Sequence, residues 1–214
     1  MILLVTGATG FLGRRVVAHA LERGHRVRAV VRPGRDLSGM PWAGKPGLDI
    51  VEIDLVAESA TDKLADALAA EDASEAVVVH AAGAMTGDDA TQQTGTVEPT
   101  RRLLQAMQQA GSRRLVLLSS LSVYGYAALP DGAQLDETTP TEPDPAERDA
   151  YCRAKLAQEA LALDAAQRHG LLVAALRPGM IFGPGRLWSA RLGVAKGRLV
   201  ILLGGNAALP VSYV

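Results

Sequence analysis

Residues 2–13 read ILLVTGATGFLG, and they restrict the fold of this chain more than any other stretch. The apolar run Ile2 to Val5 suits a buried strand. It meets a turn with glycines at 7, 10 and 13. An amphipathic run follows from Phe11 to Arg23, with Leu12, Val16, Val17, Ala20 and Leu21 on one side. Glycine allows positive φ and leaves no Cβ in the path of a ligand. The helix start offers free N–H groups and a partial positive charge. A hairpin or a chance turn would account for three glycines, but not for strand, turn and helix in this order. The pattern predicts a dinucleotide pyrophosphate held by Gly7, Thr9, Gly10, Phe11, Leu12 and Gly13. The spacing is GxxGxxG rather than GxGxxG.

Gly24 is placed to stop the helix, and Arg26–Val31 is the second strand. An acidic residue about 20 positions past the glycines would hold an adenosine ribose 2′-OH. Val31 and Arg32 stand there instead, with Arg35 just after. A guanidinium suits a 2′-phosphate, so Arg32 and Arg35 argue for NADP over NAD. Asp36, a few positions late, keeps NAD open. Residues 33–48 are rich in Pro and Gly and read as a loop. Further strands are expected at Leu48–Ile53, Ala76–Val79, Arg114–Ser119 and Leu171–Leu176. Helices are expected over Glu58–Ala70, Thr96–Ala110 and Asp149–Arg168, and a mobile loop over Gly83–Gln93. Alternating strands and helices, with a continuous apolar fourth strand, predict a doubly wound α/β parallel sheet.

Composition narrows the partners. The 214 residues carry a net charge of −1, which argues against a nucleic-acid surface or a polybasic membrane patch. The longest apolar run near the C-terminus, Leu199–Leu203, is too short to span a bilayer. Cys152 is the single cysteine, and no secretory signal is visible, so a cytoplasmic place is expected. No metal site is expected.

Tyr151 and Lys155 lie four apart in the helical pattern, so they share a face. A phenol is a poor base at neutral pH, and an ammonium nearby favours the phenolate. Such a pair can move a proton. Cys152 points about 100° away and reads as packing. His80, at the end of the fourth strand, reads as structural.

TGATGFLG, then HAAG at 80–83, SSLSVYG at 119–125, YCRAK at 151–155 and RPGMIFGPG at 177–185 follow one another in order. Together they resemble the extended short-chain dehydrogenase/reductase superfamily, in its NAD-dependent epimerase/dehydratase family. The resemblance implies a Rossmann dinucleotide domain over 1–178 and the start of a small substrate lobe over 179–214. That lobe reads as incomplete, since family members continue well past Val214. Its apolar remainder (Leu199–Leu203, Leu209, Val211) would want cover from another subunit. The resemblance makes Ser120 a hydroxyl steadying the substrate oxygen, Tyr151 the proton donor or acceptor, and Lys155 the holder of the nicotinamide ribose. It places Ala81, Ala82 and Gly83 against a ribose, Asp54 and Leu55 near the adenine, and Pro178 against the carboxamide. It also implies a homodimer through the 96–110 and 149–168 helices.

Two departures stand out. Thr96 occupies the place of the family's asparagine, and Pro99 replaces a glycine, which suggests a later helix start. Leu121 and Ser122 stand where sugar-nucleotide dehydratases carry acids, which demotes dehydration. The expected function is hydride transfer between NAD or NADP and a hydroxyl or keto carbon of a small-molecule substrate. A nucleotide-sugar epimerase leads. A ketone or aldehyde reductase follows, and a non-catalytic cofactor sensor comes last.

Overall fold

The computed structural model describes residues 1–70, 75–130, 132–186 and 210–214, together with the backbone of 193–196 and 199–202. The chain divides into two compact units, Met1–Arg177 and Pro178–Val214.

The first unit runs β1 (Ile2–Thr6), α1 (Gly13–Glu22), β2 (Arg26–Val31), β3 (Leu48–Glu52), α2 (Ala60–Ala69) and β4 (Ala76–His80). It continues through α3 (Asp89–Gln92), α4 (Glu98–Ala110), β5 (Arg114–Leu118), α5 (Ala150–His169) and β6 (Leu172–Leu176). All six strands form one parallel sheet in the order β3-β2-β1-β4-β5-β6. The order reverses between β1 and β4, whose residues pair from Ile2–Ala76 to Thr6–His80. In a doubly wound sheet a crevice opens at that reversal, beyond the strands' carboxyl ends. The motifs read from the sequence lie at those ends.

Alternation along each strand sorts the apolar side chains to two faces. Leu4, Val30 and Val78 meet Leu64, Leu68, Leu103, Met107 and Ala162 on one face. Val5, Val31 and Val79 meet Val17, Ala20 and Trp42 on the other. Burying each large aliphatic side chain contributes about 2 kcal/mol. Among the described residues of this unit, α1 and the loop after β2 cover the second face. Trp42, from that Pro/Gly-rich loop, is fully buried there, with Leu37 and Met40 beside it.

One expectation is corrected. The chain does not stay irregular to Gln93, whereas α4 does begin later than Thr96, at Glu98, with Pro99 in its first turn. Helical structure starts at Asp89, capped by the Asp88 carboxylate on the Thr91 N–H. It passes through a π-helical turn at Gln93–Val97 before α4. Pro99 has no N–H to give to an α-helical partner, and the wider turn just before it accommodates that loss.

In the second unit, β7 (Met180–Phe182) pairs in parallel with β10 (Val211–Tyr213), and Phe182 meets Tyr213 edge-on at 5.4 Å. Between them in sequence, β8 (Gly193–Lys196) and β9 (Leu199–Leu202) pair antiparallel. The side chains of Leu199–Leu203 and Leu209 lie outside the described residues, while Val211 is half exposed.

Candidate active site

The glycine turn after β1 is shaped by contact with the chain around it. Gly7 has φ +68°, and a Cβ on it would stand 2.7 Å from the backbone of Ala81 and Ala82. A Cβ on Gly13 would stand 2.0 Å from the Gly7 carbonyl. These two glycines let α1 and the end of β4 close on the turn. Gly10, by contrast, is exposed.

The start of α1 suits an anion. It has no side-chain cap and no acidic residue in its first turn, and Arg14 and Arg15 stand there instead. Cations at a helix N-terminus oppose the macrodipole, and a pyrophosphate would reverse that conflict. Arg15 folds back, donating to the Phe11 carbonyl at 2.8 Å and lying 4.1 Å over the Phe11 ring. Gly7, Thr9, Gly10, Phe11, Leu12 and Gly13 thus surround an uncapped helix end that fits a dinucleotide.

At the end of β2 the chain makes a tight turn. Arg35 N–H donates to the Arg32 carbonyl at 3.2 Å, with Gly34 at φ +69°. Pro at the second position and a left-handed Gly at the third mark a type II turn, whose ends lie within about 7 Å. Arg32 and Arg35 are those two ends, and both are exposed. Asp36 is turned onto its own backbone, accepting from Ser38 N–H at 2.9 Å, a bond that holds its carboxyl below the usual carboxylate range. Asp54 likewise accepts from Val56 N–H at 3.2 Å in the turn after β3. Leu55 beside it is half-buried, and its carbonyl accepts from Arg102 at 3.3 Å.

Ser120 follows β5. Its Oγ accepts from both the N–H and the hydroxyl of Ser122, at 3.2 and 3.0 Å. With both bonds accepted, the proton of Ser120 is left to donate elsewhere. Tyr151 and Lys155 lie on α5, which Asp149 caps through the Cys152 N–H at 2.7 Å. The Lys155 ammonium sits 5.9 Å from the Tyr151 ring centre. It is 6 % exposed and donates to the Leu118 carbonyl at 2.8 Å and to Gln158 Oε1 at 2.9 Å. Burial pushes it down to about 8, while the nearby Glu159 acts in the opposite direction. Gly83 borders it: a Cβ there would stand 3.6 Å from Nζ and 3.5 Å from the Thr96 hydroxyl. Thr96, in the asparagine's place, accepts from Ala84 N–H and donates to Gln92.

His80 is fully buried, with Nδ1 2.6 Å from the Thr6 hydroxyl and Nε2 2.9 Å from that of Thr100. Burial first, and the Lys155 charge second, push it down to about 3. Cys152 is buried, its Sγ donating to the Ser122 carbonyl at 3.0 Å. Pro178 opens the second unit and is described only within it.

Sequence patterns do not reveal Arg148. Its guanidinium donates to the carbonyls of Ser122 and Tyr124, to Glu142 and to the Tyr126 hydroxyl. It thereby ties the loop after Ser120 to the start of α5. No local pattern marks it. Gln158 also escapes the sequence reading, although its i+3 spacing from Lys155 puts both on one helix face.

Comparison with known proteins agrees with this fold. A profile of the NAD dependent epimerase/dehydratase family matches residues 3–208. The chain belongs to that family. It is 32% identical over 221 residues to a 3-beta-hydroxysteroid dehydrogenase of Mycolicibacterium neoaurum, covering 99% of this chain and 57% of the relative. Among solved structures, a Thermus thermophilus UDP-glucose 4-epimerase in complex with NAD is 26% identical with a TM-score of 0.71. That match covers 87% of this chain and 57% of the epimerase. MoeE5 in complex with UDP-glucuronic acid and NAD is 32% identical with a TM-score of 0.67, at the same coverage. This chain therefore spans little more than half the length of the proteins it matches. Relatives of this NAD-dependent epimerase/dehydratase member include both epimerases and dehydrogenases. Among the described residues no helix is long and apolar enough to cross a membrane, and no cluster of potential metal ligands occurs.

Proposed function

We propose that this family member transfers a hydride between NAD(P) and a hydroxyl or keto carbon of a small-molecule substrate, with Ser120, Tyr151 and Lys155 as its catalytic residues. The observation that carries this reading is the buried Lys155 ammonium close to the Tyr151 ring, held by two acceptors. A bound nicotinamide supplies the hydride acceptor or donor. Tyr151 passes the substrate proton. Ser120, with its acceptor sites filled by Ser122, donates to the substrate oxygen and steadies the charge that grows there. The turn from Gly7 to Gly13 holds the pyrophosphate. Ala81, Ala82 and Gly83 border the nicotinamide ribose, Asp54 and Leu55 the adenine, and Pro178 the carboxamide.

Leu121 and Ser122 offer no acid beside Ser120, so the chemistry is redox at one carbon rather than loss of water. Between the epimerase expected from the sequence and the reductase, the end of β2 favours the reductase. Two arginines at the ends of one tight turn, with Asp36 engaged by the Ser38 N–H, suit a 2′-phosphate. This supports NADPH as a consumed cofactor, against a retained NAD with a nucleotide sugar as substrate. Release of any co-purified nucleotide, followed by titration with NADPH and NADH, tests both. An empty protein that prefers NADPH supports the reductase. A retained, unconsumed NAD supports the epimerase. Binding of neither overturns the dinucleotide reading for this chain.

A cytoplasmic place and a homodimer through α4 and α5 belong to the same reading. The exposed Leu163 on α5, and an open groove of about 450 Å³ lined by Gln93, Val97, Ala150 and Ala157, support a contact surface there. Sedimentation at two concentrations tests the dimer.

A further inference from the structure

A chain of buried polar side chains runs under the candidate site, and the mechanism above does not use most of it. Gln158 is fully buried on α5. Its Oε1 accepts from Lys155 at 2.9 Å, and its Nε2 donates to the Thr100 hydroxyl at 2.7 Å. Thr100 gives its own proton to the Thr96 carbonyl at 2.8 Å. Its oxygen therefore has only lone pairs to offer, and it accepts from Gln158 and from His80 Nε2. With this hydroxyl direction, His80 Nδ1 accepts from the Thr6 hydroxyl, 2.6 Å away. The ring stays neutral down to about pH 3, so it holds this tautomer and adds no charge beside the lysine.

We propose that Gln158 is a positioning residue for Lys155, and that Thr100 and His80 hold its amide in one orientation. The Lys155 end sets the orientation of the amide, because an ammonium has only protons to give. Flipping the amide would turn its NH₂ against the ammonium and its oxygen against the lone pairs of Thr100. A buried amide with any bond unmade is costly, so the flipped form, with its NH₂ against the ammonium, is suppressed. Two of the three ammonium donors are thereby spent on fixed acceptors, Gln158 and the Leu118 carbonyl. The third is left beside Gly83, where no side chain intervenes.

This proposal rests on the reading of Tyr151 and Lys155 as the redox site. The titratable groups around Lys155 are Tyr151 and Glu159 on its own helix and His80 on β4. From β5 and the π-helical turn it meets the Leu118 carbonyl and the Thr96 hydroxyl.

The test is an NMR titration of Lys155 at Nζ and Cε in the wild type, Q158M and Q158E, with NADPH and NADH affinities measured alongside. The wild-type ammonium titrates near 8. Q158M removes an acceptor of the charged form, so the titration moves down. Q158E supplies a carboxylate, so it moves up. Opposite shifts are not expected of a residue that only fills space. Dinucleotide affinity falls about tenfold in Q158M, because the nucleotide must then order an ammonium that Gln158 no longer holds in place. Titrations unmoved in both variants overturn the proposal. Should Q158M not fold, Q158E carries the test alone. In the wild type itself, ammonium protons exchanging as freely as those of an exposed lysine also overturn it. K155M separates the two readings. If K155M binds and turns over like the wild type, the site reading fails. If K155M is impaired while Gln158 variants leave the lysine unmoved, only the present proposal fails.

Discussion

The Ser122 hydroxyl donates to the Ser120 hydroxyl across 3.0 Å. On the proposed reading of Ser120 as the hydroxyl that meets the substrate, Ser122 is its orienting group. Removing Ser120 in S120A is expected to lower kcat about 10²–10³-fold, the usual loss for one oxyanion donor. S122A keeps the backbone donor of residue 122 and loses one neutral bond, so kcat falls about 3–10-fold with KM unchanged. Steady-state kinetics on an accepted ketone checks both. Full activity in S122A would mean the backbone bond alone orients Ser120.

On the proposed reading, Tyr151 passes the substrate proton and takes no part in holding the dinucleotide. Y151F is expected to lose at least about 10²-fold in turnover. Its NADPH affinity, followed by fluorescence, should stay at the wild-type value. Turnover at the wild-type rate would sink the assignment of Tyr151.

Arg32 and Arg35 stand at the two ends of one turn. Replacing both by Ala is expected to weaken NADPH about 10–100-fold, by loss of charge-assisted bonds, and to leave NADH unaffected. Equal losses for the two nucleotides would remove the arginines from 2′-phosphate recognition.

Glu159 and Arg177 make a two-bond ion pair at 3.0 and 2.7 Å, with the Glu159 side chain only 4 % exposed. Arg177 also stacks on Tyr124 at 4.6 Å. The bond to Glu159 holds the guanidinium above its ordinary range. E159A strands that cation and is expected to cost about 3–5 kcal/mol in urea unfolding. The double replacement E159L/R177M, which leaves no lone charge, should cost less. Losing Glu159 also removes a charge that raises the Lys155 titration, so that titration moves lower.

His80 makes stability fall in acid. The folded ring takes a proton only near pH 3, whereas the unfolded one takes it near 6.5. Between those values the unfolded state binds more protons, so stability declines as pH falls from 6.5 toward 3. The loss attributable to this group is on the order of 4 kcal/mol over that window. Urea midpoints at pH 7 and pH 4.5 should therefore differ more in the wild type than in H80Q.

The chain's short-range chemistry is legible in the residues themselves. Strand, glycine turn and helix follow from a β-branched run, three glycines and a 3.6-residue period, each acting over a few residues. The i, i+4 spacing of Tyr151 and Lys155 needs only helix geometry. Pro99 marks the late start of α4 for the same local reason: proline reports a missing N–H, but not the helical turns from Asp89 that run into α4. Trp42 is hidden in a loop composition, because burial depends on what lies across the sheet.

What the sequence by itself determined was the alternation of strands and helices, the anion-ready helix start and the shared face of Tyr151 and Lys155. Only the tertiary structure decided which polar groups meet. Thr6 and His80 are 74 residues apart, Thr100 and Gln158 are 58 apart, and Arg148 reaches back 26 to Ser122. Local preferences carry no information over such separations. The order of the strands brings β1 beside β4 and β4 beside β5. Hydrogen bonds in a water-free interior then select one arrangement, because each alternative leaves a buried donor or acceptor without a partner.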